Sequence, residues 1–385
     1  MPRKPHVALI VETSSIYGRR ILQGINRFVR SHQRWTVFLE QRALTSQPPA
    51  WLDTWEGDGV ISRATTSAMA KRFRCVGIPL VDLTDRESPT VLPHIQSDDL
   101  AIGRIGFTHL RDRGFHQFGF CGYSREYWSH QRQEGFRQSV REFGGVCAVY
   151  ESPWYGVDVP SWEEELVRLS QWLASLPRPV GVMACNDVRG KQVLDGCSQA
   201  NLAVPEEVAV IGVDNDALLC ELCDPPLSSV VPAPETIGYE AAQCLDRWMA
   251  GGQPEASQRF VPPLGIETRQ STDVLAIEDP DVAAALRRIR QSACDGLTVE
   301  ELLRDIPVSR SILERRFRKF LSRSPQAVIR QTQLKRVQQL LAETDLSLAQ
   351  IAELAGYKHV EHMCVVFKRE LGETPGQFRR RVTPP

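Results

Sequence analysis

The sequence predicts an α/β body of two lobes followed by an all-helical unit. Three observations lead there: strand and helix periodicities alternate over roughly the first 270 residues, two capped helix-turn-helix patterns stand in tandem near the end, and charge is divided unequally between the two parts. Apolar, β-branched runs at 7–12, 36–40, 59–62, 80–83, 118–122, 147–150, 180–185 and 208–213 read as strands. Between them, apolar residues recur at helical spacing over 17–29, 100–113, 128–143, 163–176, 188–200 and 235–249. Such alternation calls for parallel sheets with crossover helices. Eight strands in one sheet would be wide for this length, so two lobes are expected.

The helical part opens at Thr298, where Glu301 three residues on completes a capping box. A short helix to about Arg304 follows, and Asp305-Ile306-Pro307 supplies the turn, because proline disfavours helical geometry in the residue before it. Ser309 can cap the next helix, in which Leu313, Phe317, Phe320 and Leu321 form one apolar stripe. Arg310, Ser311, Glu314, Arg315 and Arg318 face away from that stripe. The chemistry suits a major groove, where arginine forks onto guanine and carboxylate accepts from cytosine. A second unit repeats the plan. Ser347 and Gln350 form another capping box, Ile351, Leu354 and Ala355 are the apolar face, and Gly356 offers the left-handed turn residue. The next helix buries Val360, Met363, Phe367 and Leu371. Around and along it Lys358, His359, Glu361, His362, Val365, Lys368 and Arg369 stay exposed. Residues 326–342 form one connecting helix of roughly 26 Å at about 1.5 Å per residue, on the scale of the ~34 Å between successive major-groove faces.

Charge follows the same division. From residue 280 onward there are 19 lysines and arginines against 12 acidic residues, which leaves 27 against 35 in the preceding part. A basic tail on an acidic body fits phosphate binding by the tail alone, with salt-sensitive affinity. At 42% hydrophobic residues the chain can fill packed cores. It has no apolar run of membrane-spanning length, and its start leads directly into a strand without a cleavage-site pattern, so no membrane association and a cytoplasmic location are expected. Ten cysteines are scattered. Cys75, Cys147, Cys185 and Cys244 lie in apolar or helical stretches and read as small buried hydrophobes. Cys220 and Cys223 form the one pair at metal or redox spacing, but neither a second pair nor a nearby histidine accompanies them, and the eight histidines show no ligand spacing. No metal and no cofactor are expected.

In open parallel sheets ligands lie beyond the carboxyl ends of strands. Glu12-Thr13-Ser14, Asn186-Asp187 and Asp214-Asn215-Asp216 stand at such ends. Their oxygens and amides are what a polyhydroxylated sugar needs, since each buried hydroxyl must be paired as donor and as acceptor. Arg132 can donate to ring or hydroxyl oxygens. Tyr17, Tyr123, Trp128 and Trp154 are candidates to stack on the sugar's C–H face. The plainer reading is that these residues cap helices and fill loops.

Two resemblances sharpen this picture. Residues from about 282 to 381 resemble the AraC/XylS DNA-binding domain, on Leu313-x-Arg315-x-Phe317-Arg318, Ser324-Pro325, Ile351-Ala352, Gly356-Tyr357, Phe367-Lys368 and the Gly372 to Arg379 ending. Ser322, His359, Met363 and Val365 depart from that pattern, which moves the weight of base reading to the first unit. Residues 6–272 resemble the LacI/GalR effector-binding domain, a two-lobed periplasmic-binding-protein-like fold of type I. That resemblance rests on Asp98-Asp99 to Gly103, Arg132-x-x-Gly135-Phe136, Ala184-Cys185-Asn186-Asp187, Val204-Pro205-Glu206, Gly212 to Asn215, Pro226 to Val230 and Arg269 to Thr272. It implies sugar contacts at Arg132, Asn186 and Asp214, with Asp187 beside them.

The domain expectation is therefore 1–272 for the effector domain, 273–281 for a linker and 282–385 for the DNA reader. Sensor and reader in this order resemble bacterial sugar-operon regulators. That resemblance implies D-xylose as inducer, a homodimer on operator DNA, and activation through RNA polymerase. The residues themselves leave open another pentose or hexose, or a dimeric regulator without a ligand. They offer an enzyme little, having no glycine-rich phosphate loop, no nucleophile elbow and no metalloprotease histidine pair.

Overall fold

The chain begins with β1 (His6–Ile10), α1 (Ile16–Ser31), β2 (Thr36–Leu39), β3 (Gly59–Ser62), α2 (Ser67–Val76), β4 (Leu80–Asp82) and β5 (His94–Ser97). In the computed structural model the described residues are 3–32, 35–43, 46–47, 49–85, 92–252, 258–273, 279–321 and 323–382. After β5 the chain crosses to a second lobe made of α3 (Asp99–Arg111), β6 (Gln117–Tyr123), α4 (Tyr127–Glu142), β7 (Cys147–Ser152), α5 (Trp162–Ser175), β8 (Val180–Ala184), α6 (Asp187–Gln199), β9 (Val208–Val213), α7 (Ala217–Leu222) and β10 (Ser228–Val231). It returns to the first lobe as α8 (Pro234–Met249) and β11 (Gln258–Val261), then crosses once more to add β12 (Gly265–Glu267).

Each lobe holds six strands among the described residues, in the orders β11-β5-β4-β3-β1-β2 and β12-β10-β9-β8-β6-β7. All neighbours pair in parallel except β10 with β12. Parallel sheets are covered on both faces, so their strands are apolar throughout. β1 shows it: Val7 and Leu9 pack with Ile21, Ile25 and Ile237 from α1 and α8, while Ala8 and Ile10 pack with Met69 and Phe73 of α2. Four strands escape the sequence reading, namely β5, β10, β11 and β12, which are short and rich in Ser, Gln, His or Gly rather than in branched apolar residues. Helices α2 and α7 are likewise too short to register. Cys75 is exposed, contrary to expectation, because it lies near the end of α2 on its outer side; Cys147 and Cys244 are half-buried, and Cys185, Cys220 and Cys223 are buried.

One close approach fixes the packing of α3 on α4 in the second lobe. A Cβ on Gly103 of α3 would stand 2.2 Å from the Arg132 carbonyl oxygen, and one on Gly135 of α4 would stand 2.2 Å from that of Leu100. Only glycine admits two helix backbones this near. Asp98 caps α3 through the Ala101 amide at 2.8 Å. Together these hold Asp99, Trp128 and Arg132 at one edge of the lobe.

Residues Met1–Val274 and Leu275–Pro385 separate as two units. Of the expected linker 273–281, residues 274–278 lie outside the described residues, and its end is already helical. The second unit comprises α9 (Pro280–Ser292), α10 (Val299–Asp305), α11 (Arg310–Leu321), α12 (Pro325–Glu343), α13 (Leu348–Leu354), α14 (Val360–Leu371) and α15 (Pro375–Val382). Asp279 caps α9 with Pro280 in its first turn. Both expected capping boxes form, Thr298 with Glu301 and Ser347 with Gln350. Leu313 and Phe317 are fully buried, but Phe320 and Leu321 are only half-buried, and Leu354 and Leu371 are exposed rather than core. Each of the latter two ends its helix, where the last turn rotates off the packed face. Val366 takes the core position instead. Ser322 lies outside the described residues. No helix among the described residues is long and apolar enough to cross a membrane.

Candidate functional site

Two guanidinium groups, one from each lobe, organise the cleft of the first unit. In the second lobe Arg132 donates from Nε to Asp99 Oδ1 at 2.8 Å and from Nη1 to the Cys185 carbonyl at 2.6 Å. The same Nη1 lies 3.7 Å from Asp214 Oδ1, and its guanidinium stacks 4.8 Å from the Trp128 ring centroid. In the first lobe Arg63 ion-pairs with both Glu12 and Asp85 and stacks 4.5 Å from the Tyr17 ring centroid. Arg63, Glu12, Asp85, Asp99 and Arg132 are all at least nine-tenths buried. The lobes meet here: the Trp128 amide donates to the Asp85 carbonyl at 3.1 Å, and Arg20 donates to the Asp214 carbonyl at 3.2 Å while pairing with Glu235 at 2.6 Å.

Asp214 stands in a strained turn, with φ of 106° at Asp214 and 50° at Asn215. A non-glycine pair there costs on the order of 1–3 kcal/mol per residue, and three successive amides are tied down against it. Asp214 N donates to the Val230 carbonyl at 3.1 Å, Asn215 N to Ser229 Oγ at 3.0 Å, and Asp216 N to Asp187 Oδ2 at 2.8 Å. Burial raises the Asp214 carboxyl to about 6 even though Arg132 and Arg63 pull it down. Burial likewise raises Asp99 to about 6 against the opposing pull of Arg132.

Five of the seven expected ligand residues come together in this cleft: Glu12, Tyr17, Trp128, Arg132 and Asp214. Tyr17 shares a 2.7 Å hydrogen bond with Ser97, Glu12 accepts from Ser15 at 2.8 Å, and the Trp128 indole donates to Glu126 at 2.8 Å. The other two have internal tasks. Asn186 caps α6, its oxygen accepting from the Arg189 amide at 2.8 Å. Asp187 spends one oxygen on Ser229 at 2.6 Å and the other on the Asp216 amide, and burial raises it to about 8. Tyr123 packs edge-on against Trp128, and the Trp154 indole donates to Glu126 at 2.9 Å. The sequence reading missed Arg63, Asp85 and Asp99. The strand-end rule, applied to residues 59–62 and 80–83 as it was to the first strand, points to Arg63 and Asp85.

In the second unit Arg310, Ser311, Arg315 and Arg318 on α11 are exposed and Glu314 is half-buried. Arg310 is bracketed by Glu300 at 2.8 Å and Glu314 at 3.1 Å. Lys358, His359, Glu361, His362 and Lys368 are exposed around α14. His359 occupies the cap position of α14 without a side-chain bond to it, and the His362 ring meets Tyr357 edge-on at 5.8 Å. Gln333 on α12 ties the halves together, donating to the Ala293 carbonyl at 2.9 Å and to that of Gly356 at 3.3 Å.

Three family profiles match the chain: a XylR N-terminal domain over residues 6–96, a periplasmic binding protein-like domain over 107–272 and a helix-turn-helix domain over 302–381. The xylose operon regulatory protein of Haemophilus influenzae is 30% identical, over 97% of this chain and 97% of its own length. That of Escherichia coli K12 is also 30% identical, over 98% and 97%. A solved structure of the xylose-binding transcription activator xylR superposes with a TM-score of 0.82 at 29% identity, covering 99% of both chains. A LacI family regulator from Enterococcus faecium with bound ribose shares the fold of the body, with a TM-score of 0.59 at 20% identity over 71% of this chain and 100% of its own.

Proposed function

The chain belongs to the family of xylose operon regulatory proteins, sugar-responsive DNA-binding transcription regulators rather than enzymes, and from that premise we propose that its effector is D-xylose and that it activates xylose catabolism genes. The observation that carries the ligand half is the buried assembly of Arg132, Asp99 and Asp214 facing Arg63, Glu12 and Asp85. Fixed donors and acceptors at both lobes suit a small ring of hydroxyl groups, each of which needs pairing in both senses. Trp128 and Tyr17 offer apolar faces beside them, although each already carries a guanidinium. In this reading Asn186 and Asp187 act by holding the walls, and Glu12, Tyr17, Trp128, Arg132 and Asp214 by touching the sugar.

The reader half rests on the exposed arginines of α11. Arg315 and Arg318 are assigned to the major groove, with Ser311 and Glu314 beside them, and Lys358, His359, Glu361, His362 and Lys368 to the second contact. Arg310 joins them once its two carboxylate partners release it to phosphate. A cytoplasmic homodimer working with RNA polymerase completes the proposal. Its dimer half is supported by β2, a sheet-edge strand whose Val37, Phe38 and Leu39 are each about 40% exposed.

A melting-temperature screen of the full chain against a dozen monosaccharides tests the sensor. D-xylose is expected to raise the melting temperature of wild type and to leave Asp214→Ala unmoved. A chain that no sugar stabilises, or an Asp214→Ala variant with the full shift, refutes the assignment.

A further inference from the structure

Each cleft guanidinium is already bracketed by two carboxylates. Arg63 lies between Glu12 and Asp85, and Arg132 lies between Asp99 and Asp214. The two sets feel one another across the cleft, since Asp214 is influenced by both Arg63 and Asp85, and Asp99 by Asp85. Arg20, half-buried at the margin, is itself engaged by Glu235. Among the described residues of this cluster, then, no cation stands without its acid, and four carboxylates outnumber two buried guanidiniums. Two polar atoms are nonetheless left over. Arg63 Nε and Asp85 Oδ1 are buried without a hydrogen-bond partner, and they belong to the two halves of one ion pair.

We propose that the Arg63–Asp85 pair is the specificity determinant of the first lobe, admitting a neutral polyhydroxylated ligand and rejecting its carboxylate or phosphate counterpart. The proposal rests on the reading of this unit as a sugar sensor and names what that sensor selects. A polyhydroxylated ligand offers both protons and lone pairs, matching an unpaired acceptor, Asp85 Oδ1, and an unpaired donor, Arg63 Nε. A carboxylate or phosphate accepts only. It would leave Asp85 Oδ1 facing another anion, inside a cluster where burial already disfavours negative charge on Asp99 and Asp214. An aldose is thereby distinguished from the aldonate that oxidation makes of it and from the sugar phosphate that a kinase makes of it. A regulator built this way senses the sugar before either modification and stays silent to both products. Glu12 supports the selection by holding Arg63 from the other side, with its own oxygen fixed by Ser15.

Calorimetric titration of the full chain with D-xylose, D-xylonate and D-xylose 5-phosphate provides the test. Wild type is expected to bind the neutral sugar at least a hundredfold more tightly than either anion. Asp85→Asn and Arg63→Lys, the second keeping the charge but lacking Nε, are each expected to lose about tenfold to a hundredfold in D-xylose affinity, the range an unpaired buried partner implies. The double variant Glu12→Gln/Asp85→Asn, which leaves Arg63 uncompensated, is expected to gain at least tenfold for D-xylonate. Equal binding of sugar and aldonate by wild type overturns the proposal, and this arm needs no variant to fold. Retention of D-xylose affinity within twofold in both single variants also overturns it. If wild type binds none of the three while a wider panel of neutral sugars also fails, it is the sensor reading beneath the proposal that falls.

Discussion

Asp187 shows how a buried carboxylate can brace a turn far along the chain. Its two oxygens hold Ser229 and the Asp216 amide, so it props the strained turn that presents Asp214. Folding raises its pKa from the ordinary carboxylate value to about 8, with burial the main cause and the Asp214 charge second. The folded state thus keeps a proton that the unfolded chain has released, and its contribution to stability falls as pH rises between about 4 and 8. Asp187→Asn, which cannot ionise, is expected to flatten the decline in melting temperature over that interval, gaining on wild type most at pH 8 and least at pH 5. Parallel melting curves for the two proteins would show that Asp187 is not the group responsible. In the reader, Arg315→Ala is expected to weaken operator binding by about 1–3 kcal/mol and to relax preference at one base pair, whereas Lys368→Ala should weaken all duplexes alike and lower the salt slope by about one. Anisotropy titrations on operator and random DNA separate the two, and an equal loss on both duplexes for Arg315→Ala would reassign it to phosphate. Residue types at strand ends were legible in the chain, but their partners were not. In sequence Asn186 reads as a sugar contact with Asp187 beside it; the fold adds that one caps α6 and the other braces a turn by an amide 29 residues on.

At the level of elements, stability is concentrated where backbones come close. Gly356 has φ of +74°, and a Cβ there would stand 2.7 Å from the Cys294 carbonyl oxygen and 2.8 Å from that of Ala293. Gly356→Ala therefore meets both an unfavourable backbone region, costing about 1–2 kcal/mol, and immovable backbone oxygens. It is expected to destabilise the reader by more than that conformational term alone, whereas Thr298→Ala, which removes one capping hydroxyl, should cost about 1 kcal/mol. Denaturant melts of the full chain give both numbers, and a Gly356→Ala variant as stable as wild type would disprove the crowding argument. Long amphipathic helices were easy to place because their pattern repeats over several turns; α12 differs from its expected bounds by one residue at either end. Strands β5 and β10 were missed because buried Ser228, Ser229, His94 and Gln96 sit where apolar residues signal a strand, the side chains of Ser228, Ser229 and His94 each finding an interior partner. The ends of α13 and α14 misled in the opposite sense, with leucines at 354 and 371 continuing an apolar period past the point where the helix leaves the core.

For the whole molecule, ligand and operator assist one another only so far as both favour the same arrangement of the protein over another. Coupling of about 1–3 kcal/mol would raise operator affinity by one to two decades, so saturating D-xylose is expected to tighten operator binding by no more than about 150-fold. A thousandfold effect in a gel-shift or anisotropy assay would exceed what linkage of this size allows. Heating should resolve two transitions, one for each unit, with sugar at a hundred times its dissociation constant adding about 2.7 kcal/mol to the first alone. The path of the chain through the first unit constrains what can be done to it. It passes between lobes after β5, after β10 and after β11, and the last strand of each sheet arrives from beyond residue 257. Neither half of the clamshell is a continuous stretch of sequence, so no single cut liberates one intact, and a gene fragment ending before residue 258 would encode two sheets each missing a border strand. Recombination that trades effector specificity between relatives must therefore exchange the body entire or reshape it side chain by side chain.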